Sequence, residues 1–142
     1  MTTIRVTKEW QRAGVHFVRT AAMCLGFNIS PEQEFCDDTP DDKYILVSDG
    51  VTPVSTCRIH YLGGGKGKIE RVATIKEYRG KHFGREAILE AEKWMKENGV
   101  KEVFINSREA ALGFYEKLGY IPDYTTKSGS GDFVCIMISK KI

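Results

Sequence analysis

Basic residues and glycines are concentrated in one turn of this sequence, residues 78–85, which read YRGKHFGR. The turn separates a strand-like segment, residues 69–75, from a segment whose apolar residues recur at helical spacing. The first turn of such a helix has unpaired N–H groups and carries about half a positive charge from the helix dipole. Arg79, Lys81 and Arg85 add full positive charges that oppose this dipole. The pattern therefore predicts a binding site for a ligand with several negative charges.

Two common phosphate-binding loops do not match this part of the sequence. The P-loop requires Ser or Thr after Gly-Lys, whereas Gly67 and Lys68 are followed by Ile69. The dinucleotide-binding fingerprint requires three glycines, and the turn contains only Gly80 and Gly84. An ordinary strand–helix connection that binds no ligand is the alternative interpretation.

The turn does resemble the acetyl-CoA motif of the GNAT superfamily of N-acetyltransferases. That motif has an Arg or Gln, two further residues, Gly, one residue, and then Gly or Ala. Arg79 and Gly84 match it, whereas His82 stands at the middle glycine. Residues 110–120, AALGFYEKLGY, resemble the second landmark of the family, a helical Phe-Tyr that precedes Gly and an aromatic residue. The resemblance covers residues 3–138.

The resemblance implies that acetyl-CoA or coenzyme A binds along the central strand and over the turn. Main-chain groups of residues 72–74 would pair with the pantetheine arm like an added strand, and this requires the next strand to diverge. N–H groups of residues 80–85 would hold the pyrophosphate in a main-chain nest. The implied cofactor-binding residues are Val72, Ala73, Thr74, Arg79, Gly80, Lys81, His82, Phe83, Gly84, Arg85 and Asn106.

Two of these residues allow a second interpretation. Histidine tolerates a positive φ better than most residues, so the imidazole of His82 could donate to a phosphate or could crowd the site. A surface histidine without a role is equally compatible with the sequence. Asn106 ends the strand after the helix, where it could reach the cofactor or serve only in a turn and cap.

The resemblance also assigns catalytic roles. A lysine-like acceptor amine has a pKa of about 10.4 and must lose a proton before it attacks, and the departing thiolate has a conjugate thiol pKa of about 8.5 in the cysteine analogue. Tyr115 matches the general acid of the family, and a neutral tyrosine can protonate that thiolate. Glu70 is the candidate base, directly or through water, because it lies on the central strand. The alternatives are a core aromatic at Tyr115 and an exposed carboxylate at Glu70.

The predicted elements place these residues together. Alternation and turn signals predict strands at residues 3–6, 44–47, 51–61, 69–75, 102–106, 120–121 and 133–138. Asp49-Gly50 is a hairpin signal, and the strand–helix–strand unit implies a right-handed crossover with its ligand crevice at the carboxyl ends of the strands. Ser107 is predicted to cap a short helix that contains Tyr115. The predicted fold is a single α/β domain of mixed, α+β type, residues 1–142, with a GNAT-like mixed sheet of about seven strands flanked by helices on both faces.

Two segments near the N-terminus are less specific. From residue 7 the pattern predicts a helix with one apolar side, which comprises Trp10, Ala13, Phe17, Val18, Ala21 and Leu25. Ser30 and Pro31 predict a second helix start. Residues 32–42 then contain six carboxylates and no basic residue. We interpret them as a solvated loop, with an acidic rim that attracts a cationic amine as the alternative.

Composition limits the classes of partner. A net charge of +2 over 142 residues is too small to favour nucleic acid. The absence of a long apolar run and the polar N-terminus predict no membrane span and no signal peptide. The four cysteines show no metal-ligand spacing, which favours no metal and a reduced, cytoplasmic environment. A homodimer is left open.

Arg19 and residues 27–42 are also similar to a small bacterial branch called ElaA-like, which does not identify the acceptor. The sequence therefore predicts an acetyl-CoA-dependent N-acetyltransferase that acts on a primary amine of a small molecule or peptide. A non-catalytic acyl-CoA-binding or sensing protein is the alternative. A nucleotide or RNA binder is a third class, although this sequence lacks the aromatic platform that such a protein uses.

Overall fold

The computed structural model describes all 142 residues, which form one mixed sheet with helices on both faces. The strands are β1 (Thr2–Arg5), β2 (Lys43–Asp49), β3 (Thr52–Gly63), β4 (Lys66–Thr74), β5 (Glu102–Arg108), β6 (Ile121–Ser128) and β7 (Cys135–Lys141). The helices are α1 (Glu9–Arg19), α2 (Pro31–Glu34), α3 (Phe83–Glu97) and α4 (Leu112–Glu116). A π-helical turn, Thr20–Leu25, extends α1, and 3₁₀ turns occupy Lys76–Tyr78, Glu109–Ala111 and Gly131–Phe133.

The seven strands lie in the order β1-β2-β3-β4-β5-β7-β6. Strands β1 to β4 are antiparallel, β4 and β5 are parallel, and β5, β7 and β6 are again antiparallel. The parallel pair is joined through α3, as expected for a strand–helix–strand crossover. The predicted mixed α/β sheet with helices on both faces is therefore confirmed. None of the helices combines the length and apolar character that a bilayer crossing requires.

The sheet has a separate core on each face. Helices α3 and α4 cover the larger core, to which β2 contributes Ile45 and Val47. Helix α1 covers the smaller core, to which β2 contributes Tyr44 and Leu46. This alternation along β2 follows the two-residue repeat of a strand that is buried on both faces. We refer to the two sides as the α3 face and the α1 face of the sheet.

The prediction of which residues form the buried side of α1 is largely wrong. Trp10 is 64% exposed and Phe17 is 52% exposed, whereas the helix buries Val15, Val18 and, among other residues, Gly14. A Cβ atom at Gly14 would lie 2.8 Å from Cδ2 of Leu46, so the missing side chain allows the helix to approach the sheet. Hydropathy does not register such a contact, because it assigns no apolar surface to glycine.

Two predicted boundaries also require correction. Ser107 does not cap a helix, because β5 continues to Arg108 and the Ser107 hydroxyl donates to the main-chain oxygen of Arg108 (2.8 Å). Strand β6 is longer than predicted and continues to Ser128. By contrast, Ser30 does cap α2, since its hydroxyl accepts the N–H of Gln33 at 3.3 Å.

Candidate active site

The sheet opens where β4 and β5 diverge. The two strands pair only from Lys66 and Glu102 to Ile69 and Ile105. Beyond these residues, β4 remains paired with β3, and β5 remains paired with β7. The carboxyl-terminal halves of β4 and β5 therefore leave a gap between them, as an added strand at this position would require.

A bulge in β4 determines which side chains border this gap. Arg71 has a left-handed backbone (φ 49°), and the register between β3 and β4 shifts at this point. Ile69 and Val72 both pack on the α3 face, whereas Ala73 packs on the α1 face. Because a strand alternates with a period of two, the bulge has inserted one residue into the pattern. Glu70 and Arg71 thereby project to the α1 face, where both bind charged partners.

A cavity of about 1210 Å³ occupies the gap and extends over the turn before α3. It is lined by both predicted catalytic residues and by all but one of the predicted cofactor-binding residues. These residues are Tyr115, Glu70, Val72, Ala73, Thr74, Arg79, Gly80, His82, Phe83, Gly84, Arg85 and Asn106. Lys81 is the exception, because its ammonium lies outside the cavity and 5.7 Å from the centroid of the Tyr78 ring.

The turn before α3 has the geometry of an anion-binding nest. Gly80 and His82 both have left-handed backbones, with φ of 77° and 69°. The main-chain oxygen of His82 accepts the N–H of Glu86 at 3.1 Å, so the helical hydrogen bonds begin at His82. The N–H groups of the next three residues consequently have no helical partner. The imidazole of His82 is exposed and caps none of them.

Two contacts fix the start of α3 against the end of β4. A Cβ atom at Gly84 would lie 3.2 Å from Oγ1 of Thr74, so a glycine allows the first helical turn to approach the strand. Arg79 donates from Nε to the main-chain oxygen of Thr74 (3.2 Å), which ties the turn to the same strand end. The turn and the first turn of α3 thus lie against Thr74, which brings the predicted cofactor residues of the turn next to those of β4.

Tyr115 lies on α4 beside the gap and is 5% exposed. Its ring packs edge-on against Phe114 and Tyr120, with centroid distances of 4.9 and 5.8 Å. Burial raises the pKa of the Tyr115 phenol well above its ordinary value, and a negative charge on Cys57 would raise it further. The phenol is therefore neutral at physiological pH and holds a proton that it could donate, and the raised pKa makes it a weaker acid than a free tyrosine.

Glu70 lines the cavity, but other side chains bind its carboxylate. Oε2 lies 3.1 Å from Nη2 of Arg58, and Oε1 lies 3.3 Å from Nδ1 of His60. The structure therefore brings both predicted catalytic residues to the gap, with Tyr115 on the α3 face and Glu70 on the α1 face. Only Glu70 is held by an ion pair.

Three arginines and five carboxylates form what we call the arginine–carboxylate network on the α1 face. Its members are Arg19, Arg58, Arg71, Glu34, Asp37, Asp38, Asp42 and Glu70. Arg19 is 0% exposed, with Nε 2.9 Å from Glu34 and Nη1 2.6 Å from Asp38; Glu34 is 3% exposed. Residues 32–42 are therefore neither a solvated loop nor a rim of free carboxylates, because arginines of α1, β3 and β4 bind four of their six carboxylates.

Sequence reasoning did not assign several charged residues of the cavity to the site, and Arg108 is one of them. It lies at the end of β5 and shares a face of that strand with Asn106, opposite the buried Val103 and Ile105. Its guanidinium lies over the rings of Phe27 and Phe133, which also line the cavity. The two-residue spacing from Asn106 would have identified Arg108 if the strand had been extended beyond residue 106.

Comparison with known proteins places this geometry in a family. The sequence model of the Acetyltransferase (GNAT) family matches residues 4–120. A Bacillus subtilis (strain 168) protein described as an acetyltransferase is 36% identical over 123 residues, which are 84% of this chain and 83% of that protein. The structure of an N-acetyltransferase from Lactobacillus plantarum superposes with a TM-score of 0.89 at 26% identity, over 99% of this chain and 97% of the other.

Escherichia coli ElaA has the same fold, with a TM-score of 0.81 at 20% identity over 99% of both chains. The resemblance inferred from the turn and from residues 110–120 is therefore confirmed. The match spans the diverging strands, the turn before α3 and the segment that carries Tyr115. On these grounds the chain belongs to the Acetyltransferase (GNAT) family, whose members transfer acyl groups with acetyl-CoA.

Proposed function

We propose that the protein transfers the acetyl group of acetyl-CoA to a primary amine of a small molecule or peptide. The observation that carries this proposal is the gap between β4 and β5, which has an anion-binding turn at one end and a buried neutral tyrosine beside it. In addition, the gap connects the two faces of the sheet. Donor and acceptor can therefore approach one another from opposite faces.

The residues present fit the cosubstrate. The free N–H groups of residues 83–85, together with Arg79 and Arg85, would bind the pyrophosphate. The unpaired edge of residues 72–74 would bind the pantetheine amides by strand addition. Gly80 has open space where a Cβ would be, and His82 adopts the left-handed backbone that the motif glycine would supply. These positions therefore give no reason to favour a protein that only binds or senses acyl-CoA.

Transfer from an ammonium requires two protons to leave the nitrogen, one before the attack and one after it, and one proton to reach the sulfur. The neutral amine attacks the thioester carbonyl and forms a C–N bond, which gives a tetrahedral oxyanion whose nitrogen then loses its extra proton to solvent. Collapse of this intermediate breaks the C–S bond and expels the thiolate, which takes the phenolic proton of Tyr115. Tyr115 regains a proton from solvent, and the amide and free coenzyme A leave.

Glu70 would accept the amine proton, directly or through a water molecule. Its carboxylate lies 3.1 Å from Nη2 of Arg58 and lines the cavity, from which the proton would pass on to solvent. The arginine–carboxylate network has five carboxylates and three arginines, and two of its carboxylates, Glu34 and Glu70, line the cavity.

Tyr115→Phe tests the assigned acid. The change keeps the ring and its packing but removes the hydroxyl, which acts mainly in the transition state. We expect acetyl-CoA affinity, measured by calorimetry, to stay within about twofold, and kcat to fall by about 10²–10⁴ with kcat/KM falling alongside. Turnover is measured as release of coenzyme A against a panel of primary amines.

Tyr124→Phe is the matched control, because Tyr124 is exposed on β6 and does not line the cavity. It should turn over normally. Equal turnover in the wild type and Tyr115→Phe would assign protonation of the thiolate to water. Equal losses of binding and turnover would mean that the hydroxyl holds the cosubstrate in the ground state. Either result contradicts the assigned role.

A further inference from the structure

Arg108 is held in a fixed orientation on the α1 side of the cavity. We call this the acceptor side, because the candidate base Glu70 also lies there. Its Cζ lies 4.6 Å from the centroid of the Phe27 ring and 5.4 Å from that of Phe133, and the two rings are 5.5 Å apart. Nε donates to the main-chain oxygen of Asp132 at 2.7 Å. We call these three side chains, Arg108, Phe27 and Phe133, the Arg108 clamp. Phe27 follows the extension of α1, Arg108 ends β5, and Phe133 lies in the β6–β7 connection, so the clamp is a product of the tertiary fold.

The guanidinium of Arg108 has donors available for a ligand. Nε is occupied by Asp132, which leaves the two Nη nitrogens, and no carboxylate lies within ion-pair distance of either. Two other arginines of the cavity, Arg71 and Arg85, have carboxylate partners. Contact with the aromatic faces stabilises the cation and holds its plane. A planar pair of N–H donors in a fixed orientation suits a carboxylate or phosphate oxygen pair.

The clamp is separate from the turn that would bind the pyrophosphate. That turn leads into α3, on the α3 face, whereas Phe27 follows the extension of α1 on the opposite side of the sheet. Glu70 lies on this same α1 face. The acceptor side therefore presents a carboxylate at the gap and a guanidinium at the end of β5.

We propose that Arg108 is a specificity-determining residue, and that the acceptor is a primary amine that also carries a carboxylate or phosphate group. This inference rests on the proposed function, since it describes the acceptor of the same reaction. The ammonium end is attracted towards Glu70, and the anionic end binds the Nη groups of Arg108. An uncharged or purely cationic amine lacks the second contact.

The first test compares amines that differ by the anionic group. Tyrosine against tyramine tests a carboxylate, and glucosamine 6-phosphate against glucosamine tests a phosphate. We expect the wild type to prefer the anionic member of at least one pair by about 10- to 100-fold in kcat/KM, the usual contribution of a hydrogen bond to a charged group. Arg108→Gln should remove that preference through the KM of the acceptor while leaving the KM of acetyl-CoA unchanged.

Arg12→Gln is the matched control. Arg12 likewise stacks on an aromatic ring, that of Tyr44 (5.3 Å), and donates to main-chain oxygens, but it does not line the cavity. It should keep the wild-type preference. Arg108→Lys separates charge from geometry, because lysine keeps the charge but not the planar donor pair. It should recover only part of the preference.

A second measurement does not depend on turnover. Inorganic phosphate and acetate are titrated into protein saturated with coenzyme A, so that the pyrophosphate site is already filled. At least one of these anions should raise the melting temperature of the wild type and of Arg12→Gln more than that of Arg108→Gln.

Three results would overturn the proposal. The first is that the amines without an anionic group are turned over as well as their anionic partners. This result would leave the proposed acetyl transfer intact. The second is a raised acetyl-CoA KM in Arg108→Gln, which would place Arg108 at the cosubstrate. The third is the lack of a differential shift with both anions. Failure of the proposed function would look different, because no amine would then release coenzyme A while the anion shift could still be observed.

Discussion

Replacing Arg19 by methionine removes the guanidinium at the centre of the arginine–carboxylate network. Arg19 donates to the carboxylates of Glu34 (2.9 Å) and Asp38 (2.6 Å) and to the main-chain oxygen of Glu34 (2.8 Å). Asp38 would keep Arg58, whose Nη1 lies 3.2 Å away. Glu34 would keep only Arg71, at 3.7 Å. Glu34 therefore determines the size of the effect, because it is buried and loses its main cation.

The expected loss of stability is large. Removing one partner of a buried ion pair leaves an uncompensated charge and costs about 3–5 kcal/mol. For a chain of this length each kcal/mol lowers the melting temperature by about 2–4 °C, so we expect a decrease of about 6–20 °C. A surface substitution away from such features usually changes stability by less than about 0.5 kcal/mol.

Urea unfolding at pH 7, followed by circular dichroism, measures the effect. The variants are Arg19→Met, Glu34→Gln, and the double variant. Because the double variant has no uncompensated carboxylate at position 34, it should recover at least about 2 kcal/mol of the loss in Arg19→Met. Arg12→Met, on the same helix, is the control and should lose less than about 1 kcal/mol, since Arg12 has no carboxylate partner.

A loss below about 1 kcal/mol in Arg19→Met would refute the argument, because it would mean that Glu34 finds water or another cation without strain. Additive effects in the double variant would refute it as well. In that case, the network would be a set of independent contacts and Arg19 would not be needed to neutralise Glu34.

Two further predictions concern the turn and the network. His82→Gly should keep the affinity for coenzyme A and raise the unfolding free energy by up to about 1 kcal/mol, because relief of the left-handed backbone outweighs the entropy that glycine loses on folding. A large loss of calorimetric affinity would instead show that the imidazole contacts the phosphates. The hydrogen bond from Arg58 lowers the pKa of Asp37 to about 2. The ionised Asp37 carboxylate therefore stabilises the fold fully above the ordinary aspartate pKa of about 3.9, and this stabilisation is lost as the pH falls through 2. Stability measured between pH 4 and pH 2 should therefore decrease less in Asp37→Asn than in the wild type, and parallel curves would contradict the ion pair.

The elements that could be predicted from the sequence are those that local residues determine. Helix α3 follows from the helical spacing of its apolar residues, and the anion-binding turn follows from Gly80, Gly84 and their basic neighbours. The hairpin at Asp49 and Gly50 follows from turn chemistry, and Gly50 does have a left-handed backbone (φ 61°). In each case the deciding interactions join residues within a few positions of one another, so one segment contains the whole signal.

The elements that were missed depend on contacts between distant residues. The burial of Arg19 requires carboxylates that lie 15 and 19 positions later in the chain. The orientation of α1 depends on Gly14 against Leu46, and hydropathy does not register that contact. Arg108 was missed because β5 continues two residues beyond the predicted end. The alternation of apolar residues locates the end of a strand only to within about two residues.

This difference explains why the family can be identified from the sequence and the acceptor cannot. Most residues proposed for the cosubstrate side of the gap lie on one continuous segment, β4 to the start of α3. The motif can therefore be recognised within that segment, even with His82 in place of its middle glycine. The residues of the proposed acceptor side, Arg71, Glu34 and the Arg108 clamp, lie on separate elements and are joined by ion pairs and aromatic contacts. If this side binds the acceptor, single substitutions there would change acceptor specificity while the fold and the cosubstrate site are retained.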